Sequence, residues 1–123
     1  MTNMEARKPT DGELDVLRVL WERGPSTVRE VYEVIGHDRG VGYTTVLKVM
    51  QIMLEKGLLE RNDSHRTHVY HPLMKREEAR TQALDKLMNH LFAGSAAQLV
   101  LKALADYRAS DSELAEIRAL LDK

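Results

Sequence analysis

Apolar side chains recur at helical spacing in two consecutive segments near the start of the chain. Thr10 and Glu13 predict a capping box at the start of the first segment, because each side chain can bind a free backbone N–H at the start of the helix. Thr27 and Glu30 repeat this spacing and predict the start of a second helix. Its apolar stripe is followed by Gly36, where we expect the helix to stop.

A third helical stripe is followed by a change in the period of the pattern. The third helix is predicted from about residue 43 to residue 56, and Gly57 ends it. Segments 58–61 and 67–71 read as strands, and residues 62–65 between them have turn chemistry. The predicted buried stripe of the third helix is Val46, Val49 or Met50, Met53 and Leu54.

The last part of the chain is predicted to form three more helices, which start near Lys75 and at the caps Ser95 and Ser110. Each is short and strongly striped, and such helices usually bury their stripes against a partner chain. We therefore expect a homodimer; the alternative is a monomer in which these helices fold back on the rest. The residues expected at the dimer interface are Leu84, Leu87, Leu91, Leu99, Leu101, Leu104, Leu114, Ile117 and Leu121.

The order of these elements predicts a mainly α fold with a small β-hairpin. Three helices followed by a hairpin are the order of a winged helix-turn-helix domain, and a C-terminal three-helix dimerisation region follows it. We accordingly expect a flexible tail at residues 1–8, a winged-helix DNA-binding domain at 9–73 and a helical dimerisation domain at 74–123.

The third helix supplies the candidate chemistry, because in a winged helix its N-terminal residues read base edges in the major groove. Threonine methyls can contact thymine methyls, lysine can reach guanine or a phosphate, and glutamine can pair with adenine. Arginine in the hairpin turn suits a phosphate or the minor groove. A solvated polar surface is the alternative for all of these side chains. The candidate DNA-binding residues are Tyr43, Thr44, Thr45, Lys48, Gln51 and Arg66.

The distribution of charge along the chain favours a DNA-binding function more than the net charge does. The net charge is −1, whereas a generic nucleic-acid binder is usually strongly basic. Between Arg39 and Arg76, however, there are seven basic residues and only three acidic ones. A basic surface on a nearly neutral protein is sufficient for phosphate contacts.

Several other classes of protein find no support in the sequence. Cysteine is absent, which excludes disulfides and thiolate metal sites. His65, His68 and His71 are spaced by three, and residues three apart on a strand face opposite ways, so we expect no metal site there. No catalytic or nucleotide-binding motif is present, and we expect no enzyme activity, no catalytic residue and no cofactor.

The start of the chain and its hydropathy predict a cytoplasmic protein. The N-terminal MTNMEARKPTDGE has no apolar core, so we do not expect a signal peptide. No stretch approaches the about 18 apolar residues of a membrane span, so no membrane insertion is expected.

Five segments in order cover nearly the whole chain and resemble one family. They are PTDGELDVLRVLWERGPSTVREVYE, GYTTVLKVMQIMLEKGLLER, RTHVYHPL, GSAAQLVLKAL and SELAEIRALL. With these segments the chain resembles the penicillinase-repressor family of bacterial regulators (BlaI/MecI/CopY). The resemblance implies a winged-helix repressor that dimerises through its C-terminal helices and occupies dyad operators, commonly of TACA/TGTA type. It assigns DNA contacts to Thr44, Thr45, Lys48 and Arg66, and it implies a membrane sensor-protease that cleaves the dimerisation region.

The chain also departs from the family in three places. Without cysteine it lacks the C-terminal motif of the copper-responsive branch. Leu101-Lys102-Ala103 stands where the β-lactam branch has a cleaved Asn-Phe bond, so any cleavage here follows a different sequence rule. Ile52 stands where many members have a basic residue, which removes one phosphate contact.

The expected function is therefore that of a sequence-specific DNA-binding transcriptional repressor, dimeric on a dyad operator and derepressed by proteolysis. One alternative is a winged-helix protein-interaction module, which the acidic first helix would suit. Another is a small-molecule-responsive repressor with a pocket lined by Met50 and Met53 between the winged domain and the fourth helix. For these methionines, ordinary core packing is the simpler interpretation.

Overall fold

The computed structural model describes residues 7–64 and 66–123, and its helices and one hairpin confirm the predicted mainly α fold class. The chain divides into two compact units, the first ending at Gln82 and the second running from Ala83 to Lys123. The elements are α1 (Asp11–Arg23), α2 (Val28–Arg39), α3 (Tyr43–Glu55), β1 (Leu59–Asn62), β2 (Val69–Pro72), α4 (Arg76–His90), α5 (Ala96–Asp106) and α6 (Asp111–Leu121).

Both predicted capping boxes at the starts of α1 and α2 are confirmed. In the first, the backbone N–H of Thr10 donates to Glu13 Oε1 at 2.8 Å, and that of Glu13 donates to Thr10 Oγ1 at 3.2 Å. Thr27 and Glu30 make the same pair of bonds at 2.9 and 3.1 Å. Each threonine cap contributes about 0.5–2 kcal/mol, and together the two boxes fix where the helices begin.

The prediction that α2 stops at Gly36 is wrong. The helix continues to Arg39 and ends at Gly40, whose φ of 68° is in the left-handed region that favours glycine. Gly36 instead makes room for a side chain, because a Cβ there would lie 2.7 Å from Cε1 of Tyr32. The glycine marks close packing against Tyr32 inside the helix and not the end of the helix.

The first unit encloses a hydrophobic core to which every one of its elements contributes. Val46, Met50 and Met53 form the buried side of α3, as the apolar pattern predicts. The indole N–H of Trp21 donates to the Met74 carbonyl at 2.9 Å and ties the end of α1 to the segment after the hairpin. The other core residues include Val16, Leu17, Val19, Leu20, Val28, Val31, Ile35, Leu58, Leu59, Tyr70 and Ala79.

The predicted hairpin is confirmed, with strand bounds shifted by one or two residues. Strands β1 and β2 pair antiparallel, with Leu59 opposite Pro72 and Asn62 opposite Val69. Ser26 and Tyr70 exchange backbone hydrogen bonds of 3.1 and 2.8 Å, which bind the hairpin to the connection between α1 and α2. The wing is therefore anchored to the helical part by main-chain bonds as well as by apolar packing.

A largely buried ion pair joins the start of α1 to the end of α3. Lys56 Nζ lies 2.6 Å from Glu13 Oε1, and the two side chains are only 23% and 5% exposed. The same ammonium donates to the Lys8 carbonyl at 3.2 Å. Of the predicted flexible tail, residues 1–6 lie outside the described residues, whereas Arg7 forms an ion pair with Glu78 at 3.5 Å.

The second unit shows little burial. Ser95 and Ser110 cap α5 and α6 as predicted, but neither helix has a buried residue. Leu91, Leu101 and Leu121 are 73%, 69% and 75% exposed. Helices α5 and α6 thus have local caps, and their apolar stripes remain largely open.

Candidate nucleic-acid interface

The candidate base-reading residues lie on the side of α3 that the core leaves uncovered. Thr44, Lys48 and Gln51 are spaced by four and three, so they form one stripe along the helix. Thr45 is exposed beside this stripe, and Tyr43 is exposed at the first residue of α3. The structure thus presents all five of the side chains predicted on this helix, while their contact with DNA stays a prediction.

The start of α3 is supported by an aromatic pair that joins it to α2. The rings of Tyr32 and Tyr43 meet edge to face with their centroids 5.7 Å apart and their planes at 80°. The Arg29 guanidinium carbon lies 4.9 Å from the centroid of Tyr43 and 5.8 Å from that of Tyr32. Sequence reasoning missed Arg29, although its spacing of three from Tyr32 places both side chains on one side of α2.

The turn of the hairpin holds a polar cluster around the carboxylate of Asp63. Asp63 Oδ1 lies 2.7 Å from Arg61 Nε and 2.7 Å from His68 Nδ1. The hydrogen bond from Arg61 lowers the pKa of Asp63 below its ordinary value, and the same bond raises the pKa of Arg61. The charge of Arg61 is therefore already engaged within the protein.

Arg66 follows this cluster at the wing tip. It is exposed and has no ion-pair partner among residues 7–64 and 66–123. His65, the neighbouring residue of the predicted wing, lies outside the described residues. Arg66 therefore offers a guanidinium whose hydrogen-bonding capacity the described part of the protein does not use.

The basic segment from Arg39 to Arg76 contains two kinds of cation. Three are neutralised locally, because Arg39, Lys56 and Arg61 pair with carboxylates at 3.1, 2.6 and 2.7 Å. The others make no such pair within the described residues, although Arg76 lies 5.6 Å from the Trp21 ring centroid. These cations are Lys48, Arg66, Lys75 and Arg76.

The methionines considered as a pocket lining are part of the core. Met50 and Met53 are both 0% exposed. An open cleft of about 410 Å³ beside the start of α4 is lined by other residues, among them Trp21, Met74 and Arg76. The two methionines therefore offer no surface to a ligand.

The part of the chain that the structure describes contains neither a candidate metal cluster nor a candidate membrane-spanning helix. Within it, no cluster of three or more His, Asp or Glu side chains could hold a metal ion. His68 contacts Asp63, whereas His65 lies outside that part. None of the helices found there is both long enough and apolar enough to cross a membrane.

Most of the residues predicted at the dimer interface are exposed in the single chain. Leu84, Leu87 and Leu104 are 45%, 40% and 40% exposed, in addition to the more exposed Leu91, Leu101 and Leu121. Leu99, Leu114 and Ile117 are half-buried. Whether a partner covers them stays a prediction.

Comparison with known proteins gives a family match over nearly the whole chain. The family model described as penicillinase repressor matches residues 9–123. The transcriptional regulator BlaI of Mycobacterium tuberculosis is 39% identical over 69 residues, which are 55% of this chain and 50% of that protein. In this match, the chain spans about half the length of its relative. The penicillinase repressor of Bacillus licheniformis is 22% identical over 114 residues, covering 93% of this chain and 89% of that repressor.

Solved structures match the fold. The DNA-binding domain of the repressor BlaI, determined in solution, aligns with a TM-score of 0.55 and 22% identity, covering 63% of this chain and 93% of that domain. The structure of the hsRosR-S4 complex aligns with a TM-score of 0.56 and 20% identity, over 86% of this chain and 95% of that one. The first likeness confirms the winged-helix fold predicted from three helices and a hairpin.

Proposed function

Because the chain belongs to the penicillinase repressor family, we propose that it is a transcriptional repressor that binds double-stranded operator DNA as a homodimer. The family is one of regulators and not of enzymes. The observation that carries the proposal is the exposed polar side of α3, held outward by a buried stripe of Val46, Met50 and Met53. A repressor of this kind acts in the cytoplasm, where the chromosome is.

We propose that α3 reads the operator from the major groove. Thr44 and Thr45 would contact thymine methyls or phosphates, and Gln51 would pair with adenine. Lys48 would bind guanine acceptors or a phosphate, and it has no carboxylate partner in the described part of the chain to compete with DNA. Tyr43, at the first turn, would lie against the backbone or the bases beside it.

The wing would add a sequence-independent contact. Arg66 is exposed at the hairpin turn, and an arginine there can bind a phosphate or enter the minor groove. The neighbouring Arg61 is a weaker candidate, because Asp63 already accepts its hydrogen bond. The wing thus contributes affinity more than sequence discrimination.

We propose that the second unit pairs two chains, chiefly through the leucines of α4 to α6. The open stripes of α5 and α6 support this, since exposed leucines in contiguous stripes usually mark a protein interface. The dimer would present two copies of α3 to half-sites one or two helical turns apart, each turn about 10 base pairs. Occupying a promoter would block polymerase, and pairing would supply the second half-site contact at high effective concentration.

Derepression would follow from cutting the second unit. Leu101, Lys102 and Ala103, where the family resemblance puts the cleavage region, are all exposed on α5. A membrane sensor-protease is the proposed partner. Cleavage there would separate the two halves of the interface and weaken DNA binding without touching the first unit.

The test of the DNA-binding proposal is a mobility shift on a duplex from the gene's own promoter. The double variant Thr45→Ala/Lys48→Ala is expected to lose binding while keeping the wild-type fold and self-association. Arg18→Ala is the matched control, because Arg18 is an exposed cation on α1 that pairs with Asp15. Retention of wild-type binding by the double variant would refute the assignment of α3.

Salt dependence provides a second readout. Phosphate neutralisation releases counterions, so the logarithm of the binding constant should fall linearly with the logarithm of salt concentration. Affinity that does not change with salt would contradict a contact made through Lys48 and Arg66.

A further inference from the structure

The guanidinium of Arg29 lies beside the start of the proposed recognition helix although it belongs to α2. Its carbon is 4.9 Å from the centroid of the Tyr43 ring, and Tyr43 is the first residue of α3. The Tyr32 ring lies 5.8 Å from the same guanidinium and meets Tyr43 edge to face. Two aromatic rings from two helices thus hold one arginine head group.

The ring of Tyr32 is closely packed on the side of Gly36. Tyr32 lies against Gly36 of its own helix, where a Cβ would be 2.7 Å from Tyr32 Cε1 and 3.1 Å from the Val41 carbonyl oxygen. Any side chain at position 36 would force the ring of Tyr32 to move. The glycine therefore leaves room for the ring that in turn contacts both Tyr43 and Arg29.

Arg29 differs from six other arginines of the first unit in what it contacts, and it resembles Arg76, which lies 5.6 Å from the Trp21 ring centroid. Arg7, Arg18, Arg23, Arg39, Arg61 and Arg80 each pair with a carboxylate. Arg29 contacts only the two tyrosine rings among the described residues, and it is exposed. A guanidinium that lies over a ring keeps its N–H donors at its edge, where they can bind a phosphate in a two-pronged manner.

The position of Arg29 in the fold indicates which acceptor its free N–H donors could bind. In a helix-turn-helix, the helix before the recognition helix crosses the nucleic-acid backbone. Arg29 lies in the first turn of α2, and its guanidinium carbon is 4.9 Å from the ring of Tyr43, the first residue of α3, so a guanidinium there would meet the backbone when α3 enters the groove. We propose that Arg29 binds a backbone phosphate of the operator and that Tyr32 is a positioning residue acting through it. This inference rests on the proposed DNA-binding function and adds a contact that fixes where α3 sits along the groove.

The test is the salt dependence of binding to two duplexes, the gene's own promoter and a scrambled duplex of equal length. Arg29→Ala should weaken binding to both by a similar factor, about tenfold for one charge-assisted hydrogen bond. Its log–log salt slope should be about one smaller in magnitude than that of the wild type. Arg29→Lys should keep the wild-type slope but bind more weakly, since lysine retains the charge and loses the two-pronged geometry. Arg18→Ala, the matched arginine control, should behave as wild type.

The role of Tyr32 is tested by combining substitutions. Tyr32→Leu should weaken binding in the wild-type background and cause a smaller loss in the Arg29→Ala background, because only its contact with Tyr43 remains there. Additive losses would show that Tyr32 acts otherwise and would overturn its assignment. If Tyr32→Leu only destabilised α3, the unfolding midpoint would fall and the salt slope of DNA binding would not change.

The outcomes separate this inference from the proposed function. If the wild-type protein binds neither duplex at low salt, the DNA-binding proposal fails and the phosphate contact fails with it. If the wild type binds and Arg29→Ala has an unchanged slope and affinity, only the assignment of Arg29 fails. A loss confined to the promoter duplex would show base recognition and would overturn the phosphate assignment.

Discussion

The two units have similar apolar patterns but bury them differently. In the first unit, the stripe of α3 is closed against α1, α2 and the hairpin, and Leu17, Met50 and Met53 are 0% exposed. In the second unit, stripes of the same kind on α5 and α6 bury no residue. Isolated helices of such length are marginal in water, which is why we propose that a second chain covers the open stripes. A hydrophobic pattern thus specifies a helix and its apolar side. Where that side is buried depends on which other elements pack against it.

The largest expected effect is in the closed core. Leu17→Ala should lower the free energy of unfolding of the first unit by about 2–5 kcal/mol, because it removes fully buried atoms and leaves a cavity. The fluorescence of Trp21, the only tryptophan, reports on this unit during urea denaturation of the full chain. Leu101→Ala, on the exposed stripe of α5, is the control and should leave this transition unchanged. Equal effects of the two substitutions would remove the contrast between the units.

The next largest effect should be on self-association. Leu101→Asp puts a charge where we propose that a leucine is covered by the partner, and burial of one leucine contributes about 1.5–3 kcal/mol. Sedimentation velocity should show the dimer dissociating at concentrations at least about tenfold higher than for the wild type. Lys102→Ala, also on α5 and paired with Asp106 of the same helix, should associate normally. A variant that dimerises as tightly as wild type would exclude Leu101 from the interface.

The contrast also explains which features were predictable from the sequence. Both capping boxes, the buried side of α3 and the hairpin follow from local rules that act within a few residues, and each is confirmed. Gly36 was misread because glycine both ends helices and admits close packing, and only the position of the Tyr32 ring separates these roles. Arg29 was missed because its contact with Tyr43 spans two helices and depends on their packing.

A smaller effect on the stability of the first unit is expected from removing the ion pair between Lys56 and Glu13. Lys56→Ala would leave the Glu13 carboxylate, only 5% exposed, without its cation. The carboxylate would keep the Thr10 N–H as a donor but lose a charge-assisted hydrogen bond, which contributes about 1.5–3 kcal/mol. Urea denaturation followed by Trp21 fluorescence can resolve a loss of this size. Lys86→Ala in α4 is the control, since Lys86 is exposed in the second unit. Equal stability of both variants would mean that water satisfies Glu13 as well as Lys56 does.

The smallest expected effect is a difference in acid sensitivity between the units. The backbone hydrogen bond at Thr27 lowers the pKa of Glu30 below its ordinary value of 4.5, and the bond at Ser110 lowers the pKa of Glu113 in the same way. A lowered pKa in the folded state gives stability that is present above pH 4.5 and is lost as the pH falls through the folded pKa. Glu30→Gln should therefore flatten the acid dependence of the Trp21 transition.

The second unit provides the matched substitution. Glu113→Gln should flatten the acid loss of helical circular dichroism and leave the Trp21 transition unchanged, because Glu113 caps α6. Glu33→Gln, an exposed acid on α2, is the control within the first unit. An acid midpoint of the Trp21 signal that responds to Glu113→Gln would show that the two units unfold together.

The central claim is that two chains, joined by their open stripes, place two copies of α3 on one operator. Sedimentation equilibrium of the wild-type protein with a promoter duplex measures this directly through the mass of the complex. We expect two chains per duplex as the smallest tight complex, and we expect Leu101→Asp to bind far more weakly at the same concentration. A tight complex of one chain per duplex, unaffected by Leu101→Asp, would contradict it.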